Sequence, residues 1–348
     1  MNCKHSVTEG KTLVYWFCKK EIEKVYKVTG EIRYKSCGDC IDTCTSFEPT
    51  FWAKVRAFIK SLIEVKEIEI KKNRRRENFT FANINLLGKC NADCYFCLGK
   101  DISKELEGKN QLNEHFSYWK NFERFLATCK QEGIKKLYLT GQTADGLQYK
   151  YLPEIIDYLQ NKGFSVGVRT NGLLAVSKMF CIQKMKDEIA YSIHTLKPEI
   201  NQKIMGVSRI PDWDYIIPAS GDNVRISIVL CRYNINEFDD LIRYISKFDN
   251  VRYIQVRRIS TDTRYELLKE DIALYEDFYN KFAKEHKADR IEDFYLAQRY
   301  MLYGKEINFW RTIETSINSL NYFTDGTCSD EYFVVEGYLK NMNKKLFF

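Results

Sequence analysis

Cys90, Cys94 and Cys97 fall within eight residues of one another, spaced C-x3-C-x2-C in the stretch KCNADCYFCLGK. A closed structural zinc site takes four ligands, so a compact trio either borrows a distant fourth ligand or leaves one coordination position open. Thiolates are also the ligands of iron–sulfur clusters, and a fully ligated [4Fe–4S] cube takes four of them. Three thiolates in one short loop hold three irons and leave the fourth open, which means chemistry. A zinc knuckle with a remote fourth ligand is the structural alternative.

A second cysteine set lies near the N-terminus: Cys3, Cys18, then the knuckle Cys37-Gly38-Asp39-Cys40. Two separated ligands followed by a close pair suit a closed, structural zinc site. Cys44 adds a spare thiol, which makes an auxiliary [4Fe–4S] cluster the rival reading, while His5 reads as a solvated side chain. Cys129, Cys181, Cys231 and Cys328 are scattered singly and read as small buried apolar residues. Cys328, beside the Asp325-Gly326 turn, is also a weak candidate for a radical or substrate contact.

Composition bounds what surrounds these thiols. The chain has 348 residues, 45% hydrophobic, 29% charged and 14% aromatic, which is the make-up of a folded globular protein. The segment MNCKHSVTEG has no apolar core of a signal peptide, and no run approaches the roughly 18 apolar residues of a membrane span. The twelve cysteines are therefore expected to be reduced metal ligands and buried thiols of a cytoplasmic protein. A net charge of +7 is modest, and its densest contribution is the run KKNRRR at Lys71 to Arg76. That run reads first as a solvated linker and second as a phosphate or nucleic-acid contact.

The elements divide the chain into four stretches. Residues 1–48 form a cysteine-rich module too small to be stable on apolar burial alone, so a metal staple is physically useful there. TLVYWFC and KVYKVTGEIRY read as its short strands. In residues 49–77, Trp52, Val55, Phe58, Ile59, Leu62 and Ile63 recur at helical spacing, as in a helical connector. From 78 to 260, FTFANINLL, KKLYLTG, FSVGVRTNG, EIAYSIHTL, NVRISIVL and NVRYIQVRRI alternate with helical patterns over 112–131, 152–162 and 236–248. Repeated strand–helix units predict an α/β fold with a parallel sheet, a partial (β/α)6 TIM-like barrel, whose site lies at the carboxyl ends of the strands. Residues 261–348 read as helices, DIALYEDFYNKFAKEHK and IEDFYLAQRYMLYG, followed by strands around Asp325-Gly326, an α+β segment closing the barrel.

The loop Cys90-Asn91-Ala92-Asp93-Cys94-Tyr95-Phe96-Cys97 resembles the C-x3-C-x-aromatic-C loop of the radical S-adenosylmethionine superfamily, and it follows the first strand of an αβ repeat as it does there. The resemblance covers roughly residues 78 to 260. It implies a [4Fe–4S] cluster on Cys90, Cys94 and Cys97, with S-adenosylmethionine chelating the open iron. An external electron donor such as flavodoxin or ferredoxin would drive homolysis to a 5′-deoxyadenosyl radical that abstracts hydrogen from a substrate. Phe96 would pack against adenine. Thr140-Gly141-Gln142-Thr143 occupies the place of the family's glycine-rich motif, with the neutral amide of Gln142 where a carboxylate is usual. Arg169-Thr170-Asn171-Gly172 is similar to the family's Thr-Asn-Gly turn, and Ser192 and His194 stand where ribose- or carboxylate-binding side chains occur. Arg257, like the adjacent Arg258, would fork onto a carboxylate.

The overall layout resembles, more weakly, the queuosine lyase group, which implies a small nucleoside or nucleotide substrate and release of a 7-deazaguanine base. Asp145, Asp325 and Tyr322 would then be candidate pocket residues. A peptide or tRNA-base substrate, or a non-catalytic zinc-binding interaction module, are the other readings the residues leave open.

Overall fold

The computed structural model describes residues 25–28, 31–34, 79–261, 263–294, 297–310 and 318–329. Cys3, Cys18, Cys37, Cys40, Cys44, His5, the helical connector and the basic run all lie outside them. The chain divides into two compact units, Met1–Glu77 and Asn78–Phe348. In the first, β1 (Val25–Val28) and β2 (Glu31–Tyr34) pair antiparallel with Val28 opposite Glu31, within the stretch read as short strands.

The second unit is built on an eleven-stranded sheet of order β13-β12-β3-β4-β5-β6-β7-β8-β11-β10-β9. Its centre is the expected series in chain order: β3 (Phe79–Leu86), β4 (Lys136–Gly141), β5 (Ser165–Thr170), β6 (Ile189–Ser192), β7 (Val224–Val229) and β8 (Val251–Arg257). Neighbours in this series pair in parallel. The six strands are not the whole parallel block. β12 (Asn318–Phe323) adds in parallel to β3, and β11 (Lys305–Trp310) adds in parallel to β8. Antiparallel β13 (Cys328–Ser329) lies on one flank, with β10 (Ala297–Leu302) and β9 (Arg290–Phe294) on the other.

The strands alternate, and the alternation separates two environments. Ala82, Ile84, Leu86, Leu137, Leu139, Val166, Val168, Ile226, Ile228, Ile254, Val256, Ile307 and Phe309 are all fully buried. They pack with apolar residues of α1 (Phe122–Gln131), α2 (Leu152–Asn161), α3 (Met179–Lys184), α5 (Trp213–Ala219), α6 (Phe238–Ser246) and α7 (Tyr265–Glu285) in one core. Each Val, Leu, Ile or Phe among them contributes about 1.5–3 kcal/mol of burial, so this face holds the sheet together. The intervening residues are polar yet also buried: Asn83, Asn85, Arg225, Gln255, Asn308 and Asn321. In register, Asn321 meets Asn83 and Asn83 meets Tyr138, while Ser227 meets Gln255 and Gln255 meets Asn308. Both faces of a parallel sheet are usually apolar; here one is a polar floor.

Two helical expectations change. The pattern over 112–131 yields α1 only from Phe122, preceded by a 3-10 turn at Phe116–Tyr118, because Asn121 takes φ 60°, outside the right-handed helix. The described residues of IEDFYLAQRYMLYG are not helical: 291–294 lie in β9 and 297–302 form β10. The buried residues Ala297 and Tyr300 of β10 lie three apart, which imitates helical spacing. Tyr303 and Gly304, at φ 50° and 72°, then join paired Leu302 and Lys305 in a two-residue turn. Among the described residues, no helix is long and apolar enough to cross a membrane.

Candidate cofactor and radical site

The cysteine loop leaves β3 and is pinned from three sides. Asp93 and Tyr95 donate their backbone N–H groups to the carbonyls of Met205 and Ile204, 2.8 and 3.1 Å away, at the end of α4 (Pro198–Met205). On the second side Gly99 lies so close to the loop after β4 that a Cβ there would stand 2.1 Å from the Gln142 carbonyl oxygen. On the third, Arg264 donates to the carbonyls of Tyr95 (2.9 Å) and Cys97 (2.6 Å) and pairs through Nε with the wholly buried Asp101. Asp101 also accepts from the Thr261 hydroxyl at 2.8 Å.

Cys90, Cys94 and Cys97 are free thiols, each partly exposed. Burial pushes the Cys90 thiol up to about 11, with the Asp145 and Cys97 charges adding to it. Burial likewise raises Cys94, where both other thiols add to the effect, and Cys97, where Lys100 and Arg264 oppose it. Any metal bound by these thiols at neutral pH would displace their protons. Among the described residues, no three His, Cys, Asp or Glu side chains converge on a single ion position. A cube with one iron per thiolate does not ask for such convergence, and three cysteines lining one cavity fit it.

That cavity, about 300 Å³, is lined by Cys90, Cys94 and Cys97 together with residues at the carboxyl ends of successive strands. Thr140 and Gly141 come from β4, Arg169, Thr170 and Asn171 from β5, Ser192 and His194 from β6, Val229 from β7, and Arg257 to Ser260 from β8. Phe96 lines it too, and packs behind it on Ile204, Met205, Cys231, Ile259 and Leu268. Thr140, Gly141, Asn171, Ser192, His194, Arg257 and Phe96 thus meet in one place. Gln142 instead lines a smaller neighbouring cavity, and Thr143 lines a larger one, about 890 Å³, that Cys90, Cys94 and Cys97 also border. Arg258 reaches the cavity while pairing with Glu276 at 2.7 Å.

The weak catalytic candidates are placed elsewhere or otherwise engaged. Asp325 pairs with Lys109 at 2.7 Å, and Tyr322 is fully buried with its hydroxyl donating to the Lys120 carbonyl. Cys328 packs against the main core. None of the three lines a cavity beside the thiols. Asp145 does line the site, but both its oxygens accept hydrogen bonds: from Leu147 N–H (2.9 Å), Thr170 Oγ1 (2.7 Å) and Asn171 N–H (2.7 Å). It fixes the turn after β5. Asn171 in turn donates to Asn91 at 2.8 Å and approaches Cys90 Sγ at 3.8 Å. Asp145, Asn171 and the cysteine loop thus form one connected frame. Arg264 and Asp101 carry no sequence signature, and only the fold joins them.

His194 is buried edge-on to Phe96, with ring centroids 5.2 Å apart. Its Nδ1 accepts the Val229 N–H at 3.1 Å, so the neutral ring carries its proton on Nε2. Burial lowers its pKa to about 4 from 6.5. The unfolded chain therefore binds the extra proton first, and stability is lost as pH falls from about 6.5 toward 4, by at most about 3 kcal/mol. Urea unfolding midpoints from pH 7 to 4 are expected to fall less steeply for His194→Gln than for the wild type. Equal slopes would mean that His194 titrates normally in the fold.

A loop of three thiols after the first strand of the parallel series, opening on a cavity at the strand ends, makes this the candidate functional site of the chain. No protein-family model matches this chain. It is 25% identical over 211 residues to the GTP 3′,8-cyclase of Aquifex aeolicus (strain VF5), covering 58% of this chain and 63% of that one. It is 28% identical over 130 residues to the probable GTP 3′,8-cyclase of Thermococcus kodakarensis, covering 37% and 39%. The match thus spans less than two thirds of either relative. Streptococcus suis SuiB bound to S-adenosylmethionine shares the fold at a TM-score of 0.50 and 14% identity, over 79% of this chain and 72% of SuiB. At that identity the likeness to SuiB shows the fold alone.

Proposed function

We propose that this chain is a radical S-adenosylmethionine enzyme that holds a [4Fe–4S] cluster on Cys90, Cys94 and Cys97 and S-adenosylmethionine in the cavity beside them. The observation that carries the reading is the meeting of three free, partly exposed thiols with polar residues from the ends of successive parallel strands. When bound, cluster and cofactor together supply a reductively generated 5′-deoxyadenosyl radical, with the electron coming from an external donor protein. The chain's own residues orient and enclose. Arg257 offers a planar fork for the methionine carboxylate. His194 offers an Nε2–H, Ser192 a hydroxyl for the ribose, and Phe96 an apolar edge for the adenine. Burial of His194 keeps it a neutral donor at neutral pH. In this reading β3 to β8 curve as a partial barrel around the polar face, and the N-terminal cysteines hold zinc or a second cluster.

A small purine nucleotide or nucleoside is the substrate class favoured here, because the named relatives act on GTP. Within that class, release of the base from queuosine or its 5′-phosphate rests on layout alone. A peptide or tRNA base is the second substrate reading. The test is anaerobic reconstitution with iron and sulfide, followed by dithionite and S-adenosylmethionine. Formation of 5′-deoxyadenosine is expected, and its loss in Cys94→Ala. A reconstituted protein that retains one tetrahedral metal and yields no 5′-deoxyadenosine would sink the proposal.

A further inference from the structure

We infer that the cavity of about 210 Å³ on the polar face beyond Cys97 is an oxyanion site for one end of the substrate, with Arg169 as its main ligand. The inference rests on the radical-enzyme reading only in calling the ligand a substrate. Asn83, Asn85, Thr140, Gln142, Arg169 and Arg257 are among the lining residues, which include two cations and no carboxylate. The Arg169 guanidinium lies over the rings of Phe81 and Tyr138, 5.3 and 5.1 Å from their centroids. These faces hold it in place and offer no hydrogen-bond acceptor in the guanidinium plane. Its Nε is buried with no hydrogen-bond partner, a state proteins rarely leave without a reason.

The nearby carboxylate of Glu188 is committed elsewhere. One oxygen accepts from Arg225 Nε at 2.8 Å and the other from the Tyr253 hydroxyl at 2.9 Å. Arg169 therefore keeps an unmet demand for a planar oxyanion, which its fork suits. Asn83 Oδ1 is a second buried polar atom without a partner, so the same wall offers an acceptor to a hydroxyl or amide beside the anion. Arg169 also borders the larger cavity at the three thiols. A molecule anchored here by a carboxylate or phosphate thus directs its remainder toward the cofactor site. The small volume admits one end of a small molecule.

The test uses the full chain, reconstituted anaerobically and saturated with S-adenosylmethionine, titrated calorimetrically with inorganic phosphate and, separately, with acetate. Saturable binding of at least one anion is expected, weakened about tenfold or more by Arg169→Gln, partly regained in Arg169→Lys and unchanged in the exposed Lys135→Gln. Tighter phosphate binding identifies a phosphate ester, and tighter acetate binding a carboxylate. Equal iron content and thermal midpoint in Arg169→Gln exclude misfolding as the cause. The inference is overturned if neither anion saturates, if Arg169→Gln binds as the wild type does, or if an anion saturates only in reconstituted protein without S-adenosylmethionine, which would make the site that of the methionine carboxylate. Assay of 5′-deoxyadenosine in the same samples separates the two readings. Its formation without anion binding removes this inference alone, and anion binding without it removes the enzymatic reading alone.

Discussion

Replacing Arg264 by leucine is expected to lower the unfolding free energy by about 3–5 kcal/mol, the usual cost of taking one partner from a buried ion pair. Asp101 is wholly buried and Arg264 only 17% exposed, so water does little to compensate. The same guanidinium caps two carbonyls of the cysteine loop, those of Tyr95 and Cys97, and its charge favours the Cys97 thiolate. Arg264→Leu should therefore also lose most of the iron that the wild type retains after reconstitution and desalting. Arg264→Lys keeps the charge but not the fork, and should fall between the two. In Asp101→Asn/Arg264→Leu the buried charge is gone, so the double variant should be less destabilised than the sum of the singles, by about 0.5–3 kcal/mol. Urea unfolding and iron per chain read both effects. A change within about 0.5 kcal/mol, the size of an ordinary surface substitution, would show that the clasp carries no weight.

Asp145→Ala should destabilise the protein by about 3 kcal/mol or more. It strands three donors, Leu147 N–H, Thr170 Oγ1 and Asn171 N–H, at about 1–3 kcal/mol each. Removing a desolvated charge returns part of that cost, because burial raises the Asp145 pKa. Asp145→Asn is little better, since one end of its amide is a donor facing donors. With the turn released, Asn171 no longer holds Asn91 and Cys90, and iron retention should fall with stability. A different outcome would assign Asp145 to chemistry. If Asp145→Asn kept wild-type stability and iron yet formed no product from its substrate, its carboxylate would be acting on a reactant and not on the frame.

Much of the site was legible because it is local in sequence. Cys90, Cys94 and Cys97 lie in one loop, so their spacing alone restricts the metal they suit, and the strands that lead to Thr140, Asn171, Ser192 and His194 read directly as alternating apolar runs. The roles of the carboxylates were not legible. Asp145 and Asp325 look alike as residues near turns, yet one fills the hydrogen bonds of a frame and the other an ion pair with Lys109. Arg264 lies 163 residues from Asp101, and no periodicity links them. The β9–β10 pair was misread because the buried residues Ala297 and Tyr300 lie three apart, the spacing of a helix.

By itself the sequence determined the parallel α/β frame and the three-thiol loop, since both are written in residue type and spacing over a few positions. It also carried, in FANINL and VRISIV, the alternation that makes one sheet face polar. Only the tertiary structure decided which polar groups go unpaired. That depends on which strands become neighbours: Glu188 takes its partners from β7 and β8, leaving Arg169 beside the edge-to-face pair of Phe81 and Tyr138 with an unmet hydrogen bond. Pairing is a property of distance in space, and a chain brings distant residues together only once its sheet has formed.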